Sequence, residues 1–369
     1  MAKKNTAKKI IQLLIFLSLG IFFVWISVRH LSPEDMEKIK ESAKGVLNSR
    51  SLLFFFLSMV FGIAAHYLRA LRNILMIDPL GYRVRKSTAF YSVMTCYLAN
   101  LAVPRLGEVL RCTLIQRYDK VPFQKSFGTV VVERVFDMII FMLLLVLLIF
   151  LNTGLLSNLM INKQEGITLG AWVNEKWAAL WAMKYLLLSA LIGLIVIVLI
   201  FRHLKAKRKT EKKQSKIMGK IKNIFTGLWQ GLISIKDLQH PYLFIIYTVG
   251  IWMFYYFGVY TCFLAFKFSQ DSLFQDSFLR LFLQDLALMP AFLVMVVGTI
   301  GFIIAQAGLG AYPLIVAGVL ALYGIDYAQG LAAGWIGWGV QQLMVLIVGF
   351  ITLILASFLK IEDRSRVNN

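Results

Sequence analysis

The chain has 369 residues, of which 59% are hydrophobic and 16% are charged, and its formal net charge is +20. Soluble domains average about 45–50% apolar and about 25% charged residues. This composition therefore excludes a soluble enzyme, a disordered protein and a secreted disulfide scaffold. Repeated apolar runs of membrane-spanning length predict one all-α polytopic membrane domain over residues 1–369.

The apolar runs predict about eight transmembrane helices with both termini in the cytoplasm: 10–28, 51–68, 127–151, 184–201, 242–266, 278–297, 302–323 and 330–358. Between the first two spans, Ser32-Pro33 is a helix start signal, and it predicts an amphipathic helix over 33–50 on the outer face. Residues 217–239 predict an interfacial amphipathic helix that stops at His240-Pro241.

The distribution of basic residues predicts the topology. Residues 88–104 are apolar but interrupted by Ser92, Thr95 and Asn100, and the segments on either side are both basic. Because lysine and arginine collect in cytoplasmic loops, we expect a re-entrant hairpin near 88–126 rather than a span.

The strongest charge run predicts a basic cytoplasmic loop. Residues 202–222 hold ten Lys and Arg and one acid. An orienting, solvated loop explains this run, and so does a docking site for a partner or a lipid. The positive charge of the chain thus reflects topology and attraction to anionic lipids, and we expect no nucleic acid partner.

Charged residues enter the membrane with the predicted helix 127–151. Its uninterrupted apolar part, 138–151, has 14 residues and spans about 21 Å, less than the roughly 30 Å hydrocarbon core. The helix must therefore carry Glu133, Arg134 and Asp137 below the headgroups, at about 2.5–3.5 kcal/mol each. Glu133 and Asp137 share a face, and the spacing of Arg134 and Asp137 predicts an ion pair.

Such a helix needs a second charged partner, and the segment 104–111 supplies one with Arg105, Glu108 and Arg111. Three arginines would then meet three acids in a charge-balanced intramembrane site. Guanidinium groups bind phosphate through two parallel hydrogen bonds, so we expect a lipid headgroup there. An ion-pair network that only fixes the hairpin explains the same residues, and both interpretations can hold together.

Two further features lie late in the chain. Arg280, Gln284 and Asp285 precede a short apolar stretch and predict a secondary polar site. An Arg280 side chain that reaches outward to the membrane surface explains its position as well. The glycines and the proline of 298–313 break a helix inside the apolar zone, which is typical of a transporter site or of close helix packing. Gly330, Gly334 and Gly337 predict a packing face.

We expect no metal site, no cofactor and no catalytic residues. Cys96, Cys112 and Cys262 are widely spaced, the four histidines are scattered, and no nucleophile, phosphate-loop or metalloprotease motif occurs.

Two motifs carry a resemblance to a known family. They are Arg105-Leu-Gly-Glu-Val-Leu-Arg111 and, within 127–137, Glu133-Arg134-Val-Phe-Asp137. The pair resembles the membrane region of lysylphosphatidylglycerol synthases, also called the flippase-like domain family, over roughly 10–358. The sequence departs from that family at Pro104, where many members have glycine, and in 307–313, which lacks the family's late glutamate.

The resemblance implies a lipid-handling protein of a bacterial-type inner membrane. Our leading hypothesis is a lipid translocase that moves a phospholipid or a polyprenyl-linked lipid past the six charged residues. The alternative is a non-catalytic scaffold that presents a lipid to a separate soluble enzyme. A third hypothesis, an integral enzyme that transfers a group onto a lipid, lacks a nucleophile–base pair or a metal set. The synthases' soluble domain is absent from this sequence.

Overall fold

A computed structural model describes residues 31–151, 234–266 and 288–359, together with Phe22, Trp25, Ile26 and Arg29. The predicted spans 10–28 and 184–201 and the basic loop 202–222 lie outside the described residues, apart from Phe22, Trp25 and Ile26 of the first span. The backbone divides into two compact units, Met1–Leu145 with Ile224–Asn369, and Val146–Asn223. The description below concerns the first unit.

The described residues form α-helices joined by turns and single-turn 3-10 helices, and they contain no strand, so the predicted all-α class is confirmed. The helices are α1 Pro33–Gly45, α2 Ser49–Ile77, α3 Lys86–Ala102, α4 Leu106–Asp119, α5 Phe123–Leu151, α6 Pro241–Leu264, α7 Leu288–Ile304, α8 Ala311–Ala321 and α9 Tyr327–Ser357. Of the predicted interfacial helix 217–239, only the end is described, as a 3-10 turn at Ser234–Asp237.

Three described segments are long and apolar enough to cross a membrane: Ser49–Leu80, Pro241–Leu264 and Tyr327–Ser357. The chain is therefore a multi-pass membrane protein. The predicted span 302–323 is not one helix, because α7 continues to Ile304 and α8 starts only at Ala311. With 11 residues, α8 is about 17 Å long, too short to cross alone. The total of eight spans stays a prediction.

Helix α2 is longer than predicted, and this difference changes the site. It continues past residue 68 to Ile77. Arg69 and Arg72 therefore lie inside a spanning helix, at 5% and 0% exposure, and not in a basic cytoplasmic segment. The basic segment before residue 88 is therefore not wholly a loop, because its first two arginines belong to α2.

The predicted amphipathic helix after Ser32 is present as α1. Its cap is reciprocal: the Asp35 N–H donates to the Ser32 hydroxyl at 3.1 Å, and the Ser32 N–H donates to the Asp35 carboxylate at 2.9 Å. These bonds lower the pKa of Asp35 below its ordinary value. Lys38 then reaches Asp326 at 3.3 Å, so α1 lies beside the start of α9.

Helices α3 and α4 form the predicted hairpin, with its tip at 103–105. Arg85 precedes α3 and Asp119 ends α4, and the Arg85 Nε donates to the Asp119 carboxylate at 2.7 Å. This pair holds the two feet of the hairpin together. The hairpin is confirmed as a helical structure, and its re-entry into the membrane stays a prediction.

Helices α7 and α8 form a second hairpin around 305–310, where the sequence predicted a break. Tyr312 lies against Gly298 and Gly301, and α8 lies against α9 through Gly330 and Gly334. A Cβ on Gly334 would approach the Pro313 Cα to 2.7 Å. The predicted glycine packing face is thus present in α9, because only a hydrogen side chain fits this helix contact.

We predict that Gly334→Ala destabilises the protein because its new methyl group meets backbone atoms. Overpacking of this kind costs about 1–3 kcal/mol in the free energy of unfolding. The matched control is Gly339→Ala in the same helix, where nothing lies within 4 Å of the new Cβ. Thermal unfolding in detergent checks both variants, and equal melting temperatures would contradict the packing assignment.

Candidate functional site

A buried carboxylate, Glu133 of α5, is the centre of the charged site. Its side chain has 0% exposure. Arg111 of α4 binds both of its oxygens, at 2.9 and 3.3 Å, and Arg69 of α2 donates to Oε1 at 3.0 Å. Arg72 approaches the same oxygen at 3.4 Å. One acid therefore joins two other helices to α5.

Asp137 is the second acid, one turn further along α5. Its carboxylate accepts hydrogen bonds from Arg69 at 2.5 Å and from Arg72 at 2.7 Å. The predicted shared face of Glu133 and Asp137 is present, since both face Arg69. The predicted pair between Arg134 and Asp137 is wrong: two arginines of α2 reach Asp137, and Arg134 turns elsewhere.

These five residues, Arg69, Arg72, Arg111, Glu133 and Asp137, are called the buried network below. Arg69 lies eight residues before the end of α2, and Glu133 lies ten residues after the start of α5. At 1.5 Å per residue, both lie about 12–15 Å inside their helices. Isolated charges inside a membrane are costly, so mutual pairing lowers the cost of burying these side chains.

Helix α6 completes the surroundings of the two α2 arginines. Arg69 donates to the Tyr255 hydroxyl at 3.3 Å, and Arg72 donates to the Thr248 hydroxyl at 3.2 Å. Phe244 lies under the Arg72 guanidinium, 5.7 Å from ring centroid to Cζ. These contacts tie both arginines of α2 to α6.

A second set of charges is accessible. Arg134 of α5 donates to Glu108 of α4 at 2.8 Å, and their side chains are 42% and 19% exposed. Asn100 of α3 also reaches Glu108, at 3.4 Å. Around Arg134 the surface of α5 is apolar, with Val131, Val135 and Met138 all exposed.

Arg105 belongs to the accessible set but not to the ion pairs. It is exposed at the hairpin tip, with a left-handed backbone (φ 63°). Among the described residues its side chain has no charged partner. Arg105, Glu108 and Arg134 are called the arginine patch below.

Gly107 explains the tight turn that places the patch. A Cβ at this position would lie 2.0 Å from the Cys96 carbonyl oxygen. The Gly107 N–H also donates to the Asn100 side chain at 2.8 Å. The absence of a side chain therefore lets α4 start directly against α3, which points Glu108 and Arg111 of the next turn toward α5.

The structure thus separates the six predicted residues into two sets and adds two arginines. Arg111 and Glu133 are buried and the Asp137 side chain is 15% exposed, whereas Arg105 and Arg134 are exposed and Glu108, which pairs with Arg134, is 19% exposed. Four arginines are paired with three carboxylates. The predicted balance of three against three is therefore wrong, and the paired cluster has an excess of one positive charge, with Arg105 in addition.

Sequence reasoning missed Arg69 and Arg72, although a signal existed. His66, Arg69 and Arg72 recur every three residues, which puts them on one helical face continuous with the apolar run. His66 is buried as well and stacks on Tyr97 with 4.1 Å between ring centroids. Arg280, Gln284 and Asp285, the predicted secondary site, lie outside the described residues.

Comparison with known protein families places the chain in one of them. A family model described as "Lysylphosphatidylglycerol synthase TM region" matches residues 9–349. The chain belongs to this family. No curated protein and no solved structure matches it. Membership in the lysylphosphatidylglycerol synthase TM family confirms the resemblance carried by the two charged motifs and identifies a membrane protein of a lipid-related family.

We predict that Glu133→Gln destabilises the fold. Removing this charge leaves three buried arginines with only Asp137, and breaking a buried ion pair costs about 3–5 kcal/mol. Glu108→Gln is the matched control, since its partner Arg134 is solvent-accessible and such pairs contribute about 0–1 kcal/mol. The fraction of monodisperse protein after heating reports both effects, and a Glu133→Gln variant as stable as Glu108→Gln would contradict the assignment.

Proposed function

We propose that this protein moves a phosphate-bearing lipid between the leaflets of a bacterial-type cytoplasmic membrane. The headgroup follows the arginine patch, and the acyl chains stay in the bilayer. The observation that carries the proposal is the position of the patch. Arg134 and Glu108 form an accessible pair on an otherwise apolar surface, and a lipid headgroup is a ligand that such a surface meets.

The chemistry of the patch suits a phosphate. Arg105 and Arg134 offer planar guanidinium donors that bind phosphate oxygens bidentately. Glu108 orients Arg134 in the absence of lipid and can exchange that contact for a headgroup amine or hydroxyl. The family relation supports a lipid ligand.

The buried network has a positioning role in this proposal. Its arginines already donate to Glu133 and Asp137, so a lipid phosphate would have to displace paired carboxylates to reach them. The network holds α2, α4 and α5 at the spacing that the patch requires. The proposed translocation carries the headgroup unchanged, with no chemical step on the lipid.

The proposal places both feet of the α3–α4 hairpin in the cytoplasm, with both chain termini. The contact between Arg85 and Asp119 supports this, because it holds the two feet side by side. Lys86, Lys120 and Lys125 surround the same feet, and basic residues favour the cytoplasmic side.

The first test is lipid exchange in vesicles that contain the purified protein. We predict that the double variant Arg105→Gln/Arg134→Gln loses exchange at least tenfold while its melting temperature stays close to wild type. Arg117→Gln is the matched control, because Arg117 is an exposed arginine near the far end of the same helix α4.

Equal loss in the control would assign the effect to surface charge in general. No exchange by the wild-type protein, with anionic, zwitterionic or polyprenyl lipids, would favour the scaffold that presents lipid to a soluble enzyme, and copurification would then be the next measurement.

We also predict selectivity for anionic headgroups. The paired cluster carries one excess positive charge and Arg105 adds another, so the patch attracts a net negative headgroup and repels a cationic one. Exchange of phosphatidylglycerol should exceed exchange of its lysyl ester severalfold in the same vesicles. The reverse order would show that the acids, and not the arginines, determine the choice of lipid.

A further inference from the structure

The two helical hairpins start at opposite ends of the long helices. The feet of the α3–α4 hairpin pack on the last turn of α2, where Ile77 contacts a core that includes Val84 and Ile115. The α7–α8 hairpin is anchored at the other end: Ala317 of α8 packs on Gly330, one turn into α9.

Helices α2 and α9 are parallel, which fixes these two ends relative to each other. Ser58 contacts Gln341 at 2.9 Å, and one turn later Gly62 lies against Met344. The start of α9 is therefore at the same end as the start of α2. One hairpin enters the protein from the end of α2, and the other enters from the beginning of α9.

The tips of the two hairpins meet in a partly buried contact. The Gln306 side chain, in the second tip, donates to the Leu101 carbonyl in the last turn of α3, at 2.9 Å. The second tip is also held by Trp338 of α9, whose ring N–H donates to the Ala307 carbonyl at 2.7 Å. Trp338 is 11 residues into α9, about 16 Å along the helix.

The lengths agree with this arrangement. Helix α3 has 17 residues and α8 has 11, so they are about 26 and 17 Å long. Laid end to end they match α2, whose 29 residues span about 44 Å. Two half-length hairpins thus occupy the depth that one complete helix crosses.

The backbone is unusual at both tips. Arg105 and Ala307 have φ of 63° and 51°, and each lies at a hairpin tip. Left-handed conformations cost non-glycine residues about 1 kcal/mol or more. The patch residue Arg105 is therefore at the end of one hairpin, next to the junction with the other.

We propose that the junction of the two tips is the gate on the headgroup path. This inference rests on the proposed translocase function and adds its barrier: Arg105 and Glu108 of the patch lie at the tip of the first hairpin and within one turn of it, and a headgroup held there passes when the two tips separate. The hydrogen bond from Gln306 to Leu101 closes the gate. The feet of the first hairpin stay in place on the last turn of α2, and α8 stays in place on the first turns of α9.

A disulfide across the junction tests the gate. Leu101→Cys/Gln306→Cys is introduced after Cys96, Cys112 and Cys262 have been replaced by alanine. Exchange of acyl-labelled phosphatidylglycerol is followed by albumin extraction, which needs no reductant. We expect oxidation to slow exchange more than tenfold and subsequent reduction to restore it.

Ser58→Cys/Gln341→Cys is the matched control, since this link joins α2 to α9 without crossing the tips, and its oxidation should leave exchange unchanged. Rapid exchange by the fully cross-linked tip pair overturns the gate while the translocase stands. Absence of exchange in the reduced pair and in the wild type overturns the translocase itself and the gate with it. Failure of the tip cysteines to cross-link, both by oxidation and with a bifunctional thiol reagent that spans the length of the Gln306 side chain, overturns the junction.

Gln306→Leu supplies a second measurement that needs no cysteine. It removes the bond that closes the gate, so exchange should accelerate severalfold. Gln341→Leu is its control, because Gln341 bonds Ser58 and not a tip. Equal rates for Gln306→Leu and wild type would contradict the gate even if the cysteine pair did not fold.

Discussion

The structure depends on the carboxylate of Glu133. Three guanidinium groups from two helices converge on it in a place without water access. Buried ion pairs contribute little net stability, yet breaking one is costly. The main effect of Glu133 is therefore to specify how α2, α4 and α5 pack together. In this arrangement each buried charge has a partner of opposite sign. The arginine patch lies on the outer side of the same three helices.

Because of this constraint, neighbouring charged residues of one motif have different surroundings: some are buried between helices, and others are accessible at the surface. Glu133 and Arg134 are neighbours, but successive residues of a helix point about 100° apart. Glu133 therefore faces the interior, and Arg134 faces the exposed surface of the helix. In the same way Arg111 faces Glu133, whereas Glu108, one turn earlier, faces Arg134. At the contact between α4 and α5, the buried pair of Arg111 and Glu133 therefore lies beside the accessible pair of Glu108 and Arg134.

Local patterns predicted much of this. The charged helix, the hairpin and the late glycine break are all present in the structure. They could be predicted because the cost of inserting a charge and the helix-breaking effect of glycine and proline each depend on only a few neighbouring residues. Arg69 and Arg72 were missed since charge at the end of an apolar run is equally expected at a membrane surface. Only their partners, more than sixty residues away, show that they are buried. The junction of Gln306 with Leu101 joins segments 205 residues apart, and no local signal encodes it.

The separation of charges along the chain has a consequence for biosynthesis. Arg72 is made about 60 residues before Glu133, and at roughly 5–20 residues per second this interval lasts about 3–12 s. During that time α2 carries two arginines without either of their carboxylate partners. Stable insertion of α2 therefore depends on α5, which supplies both carboxylates. We expect α2 to stay in contact with the insertion machinery until α5 has been made.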